Sequence, residues 1–295
     1  MDEWGLSGGV GRPGWGELDY DVRFAHRETL PFDLPMIGIE LMMRLLLLFV
    51  TFVAAVSSGT LNLVAQDGQV EVSGSAENLL APYRAAAEKK WSDDIAAFDE
   101  LNRTESNPDD AILFIGSSSI RRWSTMGVDM APYRTIRRGY GGAKFTDMAV
   151  FADRLVSPHR YRAIVMFVGN GVVGNPDDHT PDQIEALARH IVAVSHQHQP
   201  GAPFFLIEIT PCEKRFDAWG KIRAVNARLR EIALSTPNTY FIPTASHYLK
   251  SDGTPRAELF VEDKLHLSQA GYDLWSKLIR QRLNDVFRAI AADQQ

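Results

Sequence analysis

Four short apolar runs, each too short for a core helix and each nearly continuous, constrain this chain more than any other feature. They read AILFI at 111–115, RAIVMFV at 162–168, PFFLIEI at 203–209 and TYFI at 239–242, with a weaker run around Thr135 and Ile136. A strand that is apolar on both faces must be covered on both, which is the condition of a parallel sheet lying between helices. The stretches between the runs supply those helices. From Glu77 to Asn102, Leu80, Tyr83, Ala87, Trp91, Ile95, Phe98 and Leu101 recur at helical spacing, with Ser92 the point of division if this is two helices. Thr180, Pro181 and Gln183 form an N-cap, a first-turn proline and a capping-box partner ahead of the stripe Ile184, Leu187, Ile191 and Val194. A further helix is predicted over about 218–234. The last starts near Ser268, with Trp275, Leu278, Ile279, Leu283, Val286, Phe287 and Ile290 on one face. The expectation is an α/β fold: a doubly wound, five-stranded, mainly parallel sheet flanked by helices, with ligands at the carboxyl ends of the strands.

The N-terminal part is set apart from this pattern. Residues 43–65, MRLLLLFVTFVAAVSSGTLNLVA, have a Met and an Arg, an apolar core from Leu45 to Val56, then small polar residues ending at Ala65. That is the layout of a secretory signal peptide, with cleavage after Ala65 or, alternatively, Ser58. Its core is short for a bilayer span, so membrane association is expected only if the segment is retained as an anchor. Residues 1–42 read as an upstream extension, with translation expected to begin at Met42 or Met43. The remainder divides into a helical lead-in at 66–110 and the α/β domain at 111–295, expected to be secreted or periplasmic.

Composition excludes several function classes. A formal net charge of -6 with scattered Lys and Arg offers no footprint for nucleic acid. The single cysteine, Cys212, rules out an intrachain disulfide framework and reads as a small buried thiol. Among the eight histidines, His190, His196 and His198 lack the i, i+4 spacing of helical zinc ligands, and Asp177, Asp178 and His179 precede a helix N-terminus, where acidic groups suit the dipole. No metal and no cofactor are expected.

The first apolar run ends in FIGSSSIRRW, a glycine and three serines at a strand end. Such a junction is an ordinary loop, or it presents a nucleophile at the edge of the sheet. A serine needs a base, and FVEDKLHLSQAGY supplies Asp263 and His266 three apart, close enough for the carboxylate to hold one imidazole tautomer. Two more loops follow strands. RRGYGGAK at 137–144 either brings backbone N–H groups near a ligand or merely turns, and in FVGNGVVGN at 167–175 Asn170 is either an amide donor toward an oxyanion or a turn former. Arg121 and Arg122 read as exposed helix residues, with steering of an anionic substrate the second reading, and Glu208 stands where it would shape a pocket.

These stretches together resemble the SGNH hydrolases, also called GDSL-type esterases and lipases, over roughly Ala111 to Leu283. ILFIGSSSIRRW is similar to the family's first block, which implies Ser118 as nucleophile. IRRGYGGAK resembles the second and FVGNGVV the third, implying an oxyanion hole formed by Ser118, Gly142 and Asn170. FVEDKLHL resembles the last, implying Asp263 and His266 as its partners. EITPCEKRFDAW and LKSDGTPRAELF look like the family's bacterial secreted branch. The resemblance implies a flavodoxin-like sheet and a serine esterase acting on small-molecule or carbohydrate esters, acetyl esters among them. Lysophospholipase or thioesterase activity is an alternative, as is a non-catalytic carbohydrate-binding protein on the same fold. The chain departs from the pattern at Ser117 and Gly171, where many members carry Asp, and a one-residue shift of the third block would put Gly171 in the asparagine's place.

Overall fold

In the computed structural model, residues 64–294 are described. The extension expected at 1–42 and the signal segment expected at 43–65 lie outside the described residues, apart from Val64 and Ala65, which open the first helix. Five strands form one sheet: β1 (Ile112–Gly116), β2 (Thr135–Gly139), β3 (Ala163–Phe167), β4 (Phe204–Ile207) and β5 (Thr239–Ile242). Their order is β2-β1-β3-β4-β5, and every pair is parallel. The chain therefore steps outward from β1 to β2, then crosses back to β3 on the other side. That reversal between β1 and β3 is the topological switch point, where the loops leaving the two strands diverge and open a crevice. Gly116 pairs with Gly139 on one side and Phe167 on the other, so the three strands end flush.

Alternation along the strands sorts the core into two layers. Leu113, Ile115, Ile164, Met166, Phe204 and Leu206 face one layer, while Ile112, Phe114, Val165, Phe205 and Ile207 face the other. All are essentially inaccessible to solvent, each contributing about 1.5–3 kcal/mol of burial free energy. The weakness of the β2 signal has a physical cause. Arg137 and Arg138 interrupt its apolar run on this edge strand, and buried Arg138 is satisfied by Asn102 and by Glu105 at 2.8 Å.

The first layer is covered by helices α1 (Val64–Thr104), α4 (Phe145–Val150), α5 (Ala152–Val156), α6 (Pro181–His198) and α7 (Trp219–Ser235). The second is covered by α2 (Ser118–Arg122), α3 (Met126–Asp129) and α8 (Gln269–Asp293). Helix α1 runs unbroken through Ser92, whose hydroxyl bonds back to the Glu88 carbonyl without interrupting the ladder. It buries Leu80, Ala87, Trp91 and Ile95 against the rest of the first layer. Leu101, expected on that stripe, is exposed, because the helix's last turn is engaged through polar Asn102 instead. Thr180 and Gln183 form the expected reciprocal capping box of α6, and Ser268 caps α8 by accepting from the Gly271 N–H.

Candidate active site

Gly116 ends β1 in a conformation that only glycine takes readily, φ +144°, and a Cβ there would sit 2.0 Å from the Phe167 carbonyl oxygen. The absent side chain lets Ser117 donate its N–H to that same oxygen at 3.0 Å, which turns the chain sharply into α2. Ser117 is the buried N-cap, with no side-chain cap bond, and Ser118 is the first helical residue. As such, Ser118 has an N–H with no carbonyl to meet inside the helix.

The imidazole that meets Ser118 comes from the loop before α8. Asp263 Oδ1 accepts the backbone N–H groups of Leu265 at 3.0 Å and His266 at 2.9 Å, which curls the loop so that Asp263 Oδ2 lies 2.6 Å from His266 Nδ1. Lys264, with φ +59°, makes the tight bend, and Val261 N–H bonds the His266 carbonyl at 2.8 Å. On its far side, His266 Nε2 is 2.9 Å from Ser118 Oγ. Partial burial pushes the Asp263 carboxyl up, but hydrogen bonds from the His266 N–H, the His266 ring and the Leu265 N–H outweigh it and bring the group down to about 2. A hydroxyl, an imidazole and a carboxylate in this sequence can pass a proton from oxygen to ring while the carboxylate stabilises the resulting imidazolium.

The third and second loops meet beside them. Asn170 bridges to Lys144 through the backbone and donates its side-chain Nδ2 to the Ala143 carbonyl at 3.1 Å, leaving the second amide hydrogen uncommitted to that bond. Gly142 lies just before, and among the described residues no backbone carbonyl outside helices and strands takes its N–H. Asn170, together with Ser118 and His266, lines a small, partly open pocket of about 30 Å³ walled by Phe167, Ile209, Cys212, Ile222 and Phe260. Gly171 faces an adjoining, more open cavity of about 260 Å³, shared with Gly142, Lys144, Asn170 and Asp177. Its φ of +103° suits glycine. A larger cavity of about 600 Å³ lies at the β5 edge against Tyr240, Phe241 and Arg282, and none of the residues named here for proton transfer line it.

Of the other residues singled out in the sequence, Glu208 departs from expectation, while Cys212 is buried and Arg121 and Arg122 are exposed helix residues as expected. Glu208 does not shape the pocket: its carboxylate accepts the N–H groups of Thr244 and Ala245, each at 2.7 Å, and so fixes the turn after β5. Arg122 reaches Asp263 Oδ2 at 3.4 Å, a half-exposed contact of little strength, and Arg121 lies over Gly141. Cys212 is buried, and that burial pushes its thiol above the usual range, against the character of a nucleophile. Among the described residues no cluster of three His, Cys, Asp or Glu side chains is placed to hold a metal. One participant has no signal in the sequence: Arg215, in the short 3-10 turn Glu213–Ala218, donates to Asn170 Oδ1 at 2.6 Å and to the Gly169 carbonyl at 2.5 Å.

Comparison with known proteins agrees with this architecture. Among solved structures, the chain is similar to a Streptococcus pneumonia protein named for platelet activating factor, at 21% identity and a TM-score of 0.57, covering 72% of this chain and 99% of that one. It is likewise similar to a GDSL-like lipase from Bacteroides thetaiotaomicron, at 17% identity and a TM-score of 0.56, covering 65% of this chain and 98% of that one. A Bacteroides fragilis protein named as an acylhydrolase matches at 21% identity and a TM-score of 0.55, covering 63% and 94%. No curated protein matches by sequence. The model of the GDSL-like lipase/acylhydrolase family matches residues 115–274, a span that opens just before the three serines and closes just beyond His266. The chain belongs to the GDSL-like lipase/acylhydrolase family and is a carboxylic ester hydrolase.

Proposed function

We propose that this chain is a serine esterase of short acyl groups, with acetyl esters of carbohydrates or similar polar alcohols as its substrates. The observation that carries the reading is the 2.9 Å approach of Ser118 Oγ to His266 Nε2, with His266 Nδ1 held by Asp263 at 2.6 Å. Ser118 Oγ attacks the ester carbonyl as its proton passes to His266 Nε2. The carbonyl oxygen becomes an oxyanion met by the N–H groups of Ser118 and Gly142 and by the Asn170 amide. Collapse breaks the bond to the alcohol oxygen, which takes the proton from His266 and leaves. Water then attacks the acyl-enzyme, again deprotonated by His266, releasing the carboxylic acid and free Ser118.

The acyl size follows from volume. The small pocket of about 30 Å³ beside Ser118 and His266 favours a short acyl group over the extended chain of a lysophospholipid or long-chain thioester. The open cavity of about 260 Å³ beside Asn170, bordered by Lys144, Asn175 and Asp177, offers hydrogen-bonding groups suited to a hydroxyl-rich substrate. Export rests on residues 43–65 alone, and fractionation of cells carrying the full chain tests it. Hydrolysis of p-nitrophenyl acetate, with Ser118→Ala as control, tests the activity. Equal rates for the two proteins, or no hydrolysis by folded wild type, would discard the esterase mechanism.

A further inference from the structure

An amide side chain is a useful oxyanion donor only if its nitrogen end faces the reaction, yet its two ends have nearly the same shape. Nothing adjacent in the sequence decides the matter for Asn170, since glycines flank it on both sides. The residue that does lies 45 positions away: Arg215 Nη2 donates to Asn170 Oδ1 at 2.6 Å, while Nη1 donates to the Gly169 carbonyl at 2.5 Å. Guanidinium has only donors, so a flipped Asn170 would set its NH2 group against the Arg215 Nη2 donor and lose the bond to the Ala143 carbonyl. Arg215 is half-buried and lines the same pocket as Ser118 and His266, and both donors described are already committed to the Gly169–Asn170 loop. Its charge also draws electron density toward Oδ1, which strengthens the remaining amide N–H as a donor.

On the reading of Asn170 as an oxyanion donor, we infer that Arg215 is the positioning residue of the oxyanion hole, fixing the rotamer of Asn170 by clamping its carbonyl end and the peptide before it. The same turn serves the other half of the site. Lys214 N–H bonds the Lys264 carbonyl at 3.1 Å and Glu213 pairs with Lys264 Nζ at 2.5 Å, so that one stretch, Glu213 to Arg215, is tied to both the His266 loop and the Asn170 loop.

The test is a double-mutant cycle on p-nitrophenyl acetate hydrolysis with Arg215→Met, Asn170→Ala and the pair, each checked for folding by thermal melting. Arg215→Met is expected to lower kcat by about 10- to 100-fold with KM within about twofold, the signature of a misplaced group that acts in the transition state. In the Asn170→Ala background the same substitution is expected to change kcat by less than about twofold, because the donor it positions is gone. Arg215→Lys, which restores one donor to Oδ1, is expected to recover part of kcat and carries the cycle if Arg215→Met does not fold. Equal losses in both backgrounds, or an unchanged kcat, would overturn the assignment. Such a result beside an inactive Ser118→Ala would refute only the role of Arg215, whereas a fully active Ser118→Ala would refute the esterase mechanism beneath it.

Discussion

The backbone N–H of Ser117 donates to the carbonyl of Phe167 at 3.0 Å, so the loop that carries Ser118 and the loop that carries Asn170 leave the sheet from a single hydrogen bond. The missing side chain of Gly116 makes room for it. Gly116→Ala would drive a methyl group to 2.0 Å from the Phe167 oxygen in a backbone conformation unfavourable to alanine. Overpacking and backbone strain together are expected to cost about 3 kcal/mol, read as a melting temperature lower by roughly 10 °C. An unchanged melting curve would contradict the tight junction.

On the proposed mechanism, removing the Asp263 carboxylate should act far more on turnover than on stability. Asp263→Asn keeps the side-chain shape but no longer stabilises the imidazolium, and a loss of about 10³- to 10⁴-fold in kcat is expected. Steady-state kinetics with p-nitrophenyl acetate check it.

The Asp263 carboxyl also predicts a pH dependence. Its folded value, about 2, lies below the unfolded one, so its ionised form stabilises the native state above the unfolded value, and that contribution is lost as pH falls through the folded value. The difference in urea midpoint between wild type and Asp263→Asn is therefore expected to be constant above about pH 5 and to shrink between about pH 4 and pH 2. The carboxylate is half-exposed, so solvent screening keeps the effect small. A difference that grows on acidification would reverse the sign and refute the assignment.

The short-acyl proposal makes the walls of the small pocket testable. Moving from acetate to butyrate esters adds two methylenes to be fitted beside a pocket of about 30 Å³, and kcat/KM is expected to fall by about 10- to 200-fold. Ile222→Ala, on the wall, should narrow that gap. A preference for long chains in the wild type would refute the short-acyl reading.

Helix α1 is part of the site's foundation as well as of the core. Trp91 is buried, stacks edge-on to Tyr140 at 5.2 Å, and lies under Gly142, where a Cβ would be 3.7 Å from its ring. Trp91→Ala is expected to cost about 3–5 kcal/mol in denaturant unfolding and to lower kcat by loosening the Gly142 loop.

Much of this was legible in the sequence because it depends on local pattern. The apolar runs at 111–115, 162–168, 203–209 and 239–242 each became a strand within two residues at either end, since a doubly covered strand has no reason to carry a polar side chain. The capping box at Thr180 and the turn from Asp263 to His266 are likewise written within a few residues. What escaped depends on distance along the chain. Nothing in TPCEKRF announces that Arg215 will meet Asn170, and nothing in PFFLIEI says that Glu208 will turn away from the pocket toward Thr244. Leu101 keeps the helical period yet faces solvent, because periodicity marks a face of the helix but not how far its partner extends.

The stretch from Glu213 to Arg215 couples two loops that the sheet alone would leave independent. The His266 loop and the Asn170 loop are thereby geared together: a shift of this turn displaces both at once. Redesign of specificity should therefore spare this hinge-pin and work on the outer rim around Val173, Asn175 and Asp177, leaving the Lys144 backbone bridge to Asn170 in place.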